Sequence, residues 1–198
     1  MRKLPLPAIS FALALLTTGF KISDRGENKP TVQSFFGGSH YVRAIPSNDY
    51  GDEGRTRVFR VKKDKDELLE EFPVYMRGDV FLGWSPLAGK WVVVHVEPTR
   101  ITGNDDWLKL GAVSRLAFYM GGMKTQSYSD ADLEQMGLKQ KVQTLAQKRA
   151  DNFVVRGIRQ IPRTNHYVFV IERTAVNGGD SEEIRFDITT GKKFRNRK

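Results

Sequence analysis

No cysteine occurs among the 198 residues of this chain. That excludes a disulfide framework and any thiolate metal site. A bacterial lipoprotein anchor is not expected either, because no thiol stands near the N-terminus to carry its lipid. No Asn-x-Ser/Thr sequon is present either. Both absences suit a bacterial envelope protein better than a eukaryotic secreted one. Histidine is scarce, with three residues, and none stands at a spacing that preforms a zinc site. No glycine-rich loop of the phosphate-cradling kind occurs: Gly121-Gly122 and Gly178-Gly179 read as hairpin turns. Ser85 lacks the Gly-x-Ser-x-Gly setting of a nucleophile elbow. Beyond the N-terminus no long apolar run appears, and Trp91 to Val94 is only strand-sized.

What is present begins with an export pattern. Arg2 and Lys3 precede an uncharged stretch of nine residues, Ala8 to Leu16. Thr17 and Gly19 then place small residues at the −3 and −1 positions of a cleavage site. Residues 1–19 are therefore expected to be a signal peptide. A membrane span needs about 20 apolar residues, and here Pro5, Pro7, Thr17, Thr18 and Gly19 interrupt the run. The remainder, about 180 residues, suffices for one sizeable core. The mature chain is expected to carry no transmembrane span and to reside in the periplasm or outside the cell.

The net charge is +9 with a pI near 9.8. Part of the excess sits at the end, in Lys192, Lys193, Arg195, Arg197 and Lys198. Such a cluster keeps a protein soluble and gives weak attraction to anionic surfaces. An exported chain meets few nucleic acids, so the basic balance points to envelope partners, a protein or a polymer, and not to nucleic acid.

Residues 20–39 are polar and contain Gly and Pro, as a flexible leader would, with Phe35-Phe36 able to dock onto the fold. Residues 40–198 are expected to form one β-rich domain. Strands are predicted at His40–Ile45, Arg57–Lys62, Leu68–Met76, Val80–Trp84, Trp91–Glu97, Val113–Met120 and Met123–Tyr128. Trp91 to Val96 is apolar on both faces except for His95, as in a strand covered on both sides. Ser129 and Asp132 then make a capping box, Gly137 ends a short turn, and a second helix is expected over Leu138–Arg149. The strands resume at Phe153–Ile161, Tyr167–Arg173 and Glu183–Ile188. The fold class is thus mainly β with a helical insert at 129–150. Antiparallel meanders at 40–128 and 151–198 would form a sandwich-like or curled sheet with the helix packed on it.

The stretch Trp84-Ser85-Pro86-Leu87-Ala88-Gly89-Lys90-Trp91, followed by Val92-Val93-Val94, resembles the turn in β-propeller blades of the periplasmic Tol-associated type. Those blades read Trp/Phe-Ser-Pro-Asp-Gly-Lys-Trp before an apolar strand, and here Leu87-Ala88-Gly89 makes the turn one residue longer. The resemblance spans about 40 residues, Arg57 to Val96, and has no second copy. Because a propeller takes about four blades or more, it implies one blade-like meander in which both tryptophans bury against neighbouring strands. It implies no function.

Candidate chemistry lies in the loops. Asp49, Asp52 and Glu53 form an oxygen-rich turn that a hard cation such as calcium accepts, although the EF-hand pattern is missing and polar turn chemistry explains the composition equally. Asp105 and Asp106 precede Trp107, the tryptophan best placed to be exposed, and these three are the ligand-binding candidates. Trp84, Trp91, Trp107, Tyr41, Tyr50 and Tyr75 could together form a platform for sugar or peptide, since aromatic faces stack on apolar ligand surfaces; Trp84 and Trp91 fit better as core. His95 fits a satisfied strand histidine. No catalytic residue and no cofactor is indicated. The expected function is non-catalytic binding or scaffolding at the envelope. The alternative is a hydrolase acting on polysaccharide or peptide through the loop carboxylates.

Overall fold

The structure is a computed structural model, and it describes residues 28–49, 52–97, 115–138, 153–173 and 181–194. It is mainly β. Three antiparallel sheets follow one another along the chain, and each is a meander whose neighbouring strands are consecutive in sequence. The first holds β1 (Thr31–Phe35), β2 (His40–Pro46), β3 (Gly54–Arg60) and β4 (Glu67–Phe72). The second holds β5 (Asp79–Ser85), β6 (Lys90–Val96), β7 (Leu116–Met120) and β8 (Met123–Tyr128). The third holds β9 (Phe153–Gln160), β10 (Tyr167–Arg173) and β11 (Glu182–Asp187). The predicted meander at 40–128 therefore splits into two sheets, with the break at Pro73 to Gly78, where proline cannot continue a hydrogen-bonded ladder.

The second sheet lies between the other two. Side chains alternate across a strand, and on β6 both sets are apolar. Val92 and Val94 join Leu116 and Phe118 in a cluster with Phe169, Ile171, Ile184, Phe186 and Ile188 of the third-sheet region. Val93 joins Val80, Leu82, Ala117 and Tyr119 in a second cluster with Val42, Val58, Phe72 and Met76 of the first-sheet region. Val92, Val93 and Val94 have no exposed surface. Burying each valine is worth about 1.5–3 kcal/mol, so β6 ties the three layers together.

Close approach shows at Gly83 on β5. A Cβ there would stand 2.8 Å from Ile158 and 3.3 Å from Ile188. At the centre of the same layer, Phe118 meets Phe169, Phe186 and Tyr128 at ring separations of 5.9 to 6.4 Å.

The helix α1 (Asp130–Gln135) begins as its sequence dictates. Ser129 Oγ accepts from the Asp132 amide, and the Asp132 carboxylate accepts from the Ser129 amide at 2.8 Å. Its end closes by two bonds, Gly137 N to Glu134 O at 2.8 Å and Leu138 N to Leu133 O at 2.9 Å. That is the Schellman arrangement, with Gly137 at φ 80°. Leu133 and Leu138 are both buried in the cluster between the second and third sheets. The second helix expected over Leu138–Arg149 lies, beyond Leu138, outside the described residues, as do residues 1–19.

Within the expected leader at 20–39, residues 20–27 lie outside the described residues, and the part from residue 31 requires correction. Thr31–Phe35 is a strand, paired antiparallel with β2 from Thr31↔Ala44 to Phe35↔His40. Its short run alternates, with Phe35 inward against the core and Val32 and Ser34 outward. Gln33 binds it to the second sheet: its Nε2 donates to Gly78 O at 2.8 Å, and its Oε1 accepts from Val80 N at 3.3 Å.

Candidate functional site

The tight connection from β1 to β2 builds an exposed aromatic cluster. Phe36, Gly37 and Gly38 all have positive φ, at 51°, 66° and 88°. Glycine takes such angles freely, but at Phe36 they cost about 1–3 kcal/mol. The result is a phenyl ring held outward, 55% exposed. It sits edge-on to the His40 imidazole at 5.5 Å and tilted against Trp91 at 5.9 Å.

His40 and Trp91 face one another at 4.7 Å. They come from β2 and β6, so this contact bridges the first two sheets at their rim. Trp91 is the cross-strand partner of Trp84, and the two indoles meet at 5.3 Å. Phe36, His40, Trp91 and Trp84 therefore form one continuous run of ring contacts. The expectation that both tryptophans are core needs revising: Trp91 is half-buried, but Trp84 is 41% exposed. Trp84 alternates in register with buried Val80 and Leu82. It is the last side chain on that face of β5, and of the two tryptophans only Trp91 packs against the cluster shared with the first sheet. Leu87, in the turn beside it, is 63% exposed.

His40 is polar within this apolar run. Its Nδ1 lies 2.9 Å from Ser39 Oγ. Its Nε2 is buried with no hydrogen-bond partner among the described residues. Burial and the nearby Arg60 guanidinium hold its pKa below the ordinary histidine value. A neutral ring fits this place, since only imidazolium demands an acceptor at both nitrogens.

The opposite rim of the same seam is polar. Tyr119 is buried, and its phenol is pushed up to about 12, first by burial and then by the charges of Asp52 and Glu97. Glu97 and Arg115 are both 4% exposed, and Arg115 Nε pairs with Asp130 Oδ1 at 2.7 Å. His95 is a satisfied strand histidine, its Nε2 bonded to the Arg77 carbonyl.

The oxygen-rich turn between β2 and β3 is organised largely by its backbone. Asp49 O accepts from Asn28 N at 2.7 Å, and Asp52 O accepts from Tyr75 N at 2.9 Å. The Glu53 carboxylate accepts from Asn48 Nδ2 within the turn. Among the described residues no three of His, Asp and Glu gather as metal ligands would. Asp105, Asp106 and Trp107 lie outside the described residues, and so do Tyr50, Arg195, Arg197 and Lys198. Lys192 and Lys193 are anchored to β11: Lys192 O accepts from Asp187 N at 2.9 Å, and Lys193 bridges to Phe186.

Sequence reasoning missed Phe36 as a surface residue. The signal for it was the Gly37-Gly38 pair directly after it, which permits a turn tight enough to leave the ring outside. Comparison of the chain with protein-family models, with curated proteins and with solved structures finds no match in any of the three.

Proposed function

We propose that this is an exported, non-catalytic binding protein of the bacterial envelope, and that the Phe36–His40–Trp91–Trp84 cluster is its recognition surface. The observation that carries this reading is the exposure of the two outer rings, 55% at Phe36 and 41% at Trp84, at the ends of a packed aromatic run. Rings held in this way offer large apolar area with little freedom left to lose on binding. They suit the apolar face of a sugar or a peptide side chain. Export is supported by the tripartite pattern of residues 1–19.

The test is retention of the purified chain on washed, insoluble envelope polymer from bacteria, at low and high salt. Retention through stacking should survive high salt and fall about tenfold or more in Trp84→Ala, which corresponds to a loss of about 1.4 kcal/mol or more. Equal retention of Trp84→Ala and the parent would overturn the reading. Release of soluble sugar or peptide from the polymer, abolished in Asp49→Asn or Asp52→Asn, would replace it with the hydrolase alternative. N-terminal sequencing of the protein from the cell exterior tests export, and an intact Met1 would count against it.

A further inference from the structure

The outward face of the first sheet carries an arrangement that folding alone does not call for. Arg43 on β2 and Arg57 on β3 are direct cross-strand partners. Arg55 lies two residues from Arg57 on the same face. Like charges opposed across a strand pair destabilise it. One carboxylate relieves this group: Glu71 pairs with Arg57 at 2.5 Å and with Arg55 at 3.6 Å. Arg43 is exposed and makes no ion pair among the described residues. Among the described residues the guanidinium row therefore keeps a net positive charge.

An aromatic row runs beside it. Tyr41 and Phe59 are also cross-strand partners, stacked at 4.9 Å with 17° between their planes. Val32 and Leu68 flank the two rows and are 60% and 50% exposed. Tyr41 OH donates to Asp66 at 2.8 Å, which fixes the ring on the sheet. Two residues along a strand separate the rows, about 7 Å. One face thus offers cationic forks and a stacked, partly exposed aromatic pair side by side.

We propose that this face binds an acidic polysaccharide, a chain of carboxylated sugars. Such a polymer has both features the face matches: carboxylates that accept from the guanidinium N–H groups of Arg43 and its neighbours, and apolar ring faces that cover Tyr41 and Phe59. The face lies on the other side of the first sheet from His40 and Trp91, and its assignment does not depend on the reading of that cluster.

The probe is polygalacturonate, titrated against the full chain at 50 mM and 300 mM salt, with neutral dextran and inorganic polyphosphate as comparisons. Binding of polygalacturonate that weakens with salt, and about tenfold weaker binding by Arg43→Gln, are expected, as for loss of a charge-assisted contact. Arg43→Gln removes one of two opposed like charges on an exposed face, so its urea midpoint should stand at or above the parent's. A second variant with Arg195, Arg197 and Lys198 all changed to Gln should bind like the parent. No binding of polygalacturonate, equal binding of dextran, preference for polyphosphate, undiminished binding by Arg43→Gln, or loss confined to the tail variant would each overturn the proposal.

Discussion

Replacing Tyr119 by phenylalanine removes one hydroxyl from the seam between the first two sheets, and the structure fixes what that does to stability at high pH. The Tyr119 ring packs edge-on to Phe72 at 5.8 Å, and the residue is 7% exposed. Burial and the charges of Asp52 and Glu97 raise its phenol from 10.0 to about 12. The folded protein then keeps a proton that the unfolded chain gives up, so stability falls as pH rises from 10 to 12. A tenfold difference in proton affinity between the two states is worth about 1.4 kcal/mol, so the full loss is about 3 kcal/mol, and about half of it is reached by pH 11. Urea unfolding followed by circular dichroism at pH 8 and pH 11 measures this. The parent should lose about 1 kcal/mol more than Tyr119→Phe between the two pH values. Tyr41 and Tyr128 are raised too, but both proteins share them and they cancel in the difference. Parallel pH dependences would refute the placement of the Tyr119 hydroxyl in a buried, negatively charged seam.

His40 works in the opposite direction of pH. Its folded pKa lies below the ordinary value of 6.5, so stability is full above that value and declines as pH falls through it; melting temperatures at pH 7.5 and 5 should show a smaller acid loss in His40→Gln. Phe118→Ala opens a cavity among three aromatic rings and should cost about 3–5 kcal/mol in denaturant unfolding. Gly83→Val forces Ile158 and Ile188 aside; a cost of about 1–3 kcal/mol is expected, and a stabilised variant would show that the sheets are not in contact there. Ser129→Ala removes the cap of α1, with an expected loss of about 1 kcal/mol.

Alternation made much of this architecture legible. Glu183, Arg185 and Asp187 against Ile184, Phe186 and Ile188 marks a half-buried strand, and β11 is there. The unbroken apolar run of β6 marks a strand covered on both sides, and two separate clusters cover it. Ser129 and Asp132 announced the start of α1 because a capping box is local chemistry, decided within four residues. The division of 40–128 into two sheets was not legible. Alternation tells that a face is buried and leaves open which strands bury it. Thr31–Phe35 was missed because it follows Lys29-Pro30 in a polar stretch, and its pairing with β2 is a property of β2 as much as of its own residues. At the candidate site Trp91 and His40 were noticed singly. Their meeting depends on how the first sheet stacks on the second.

The order of the sheets along the chain has a consequence for biogenesis. The strands of each meander are all made before the next sheet begins, so assembly can proceed in the direction of synthesis, one layer at a time. The middle layer is the vulnerable stage. Once β8 is in place, the first sheet shields Val93 and Tyr119, but Val92, Val94 and Phe118 still await the strands from Phe153 onward. A chain halted at that point presents a sticky apolar wall to its surroundings, and a holding chaperone would find its grip there.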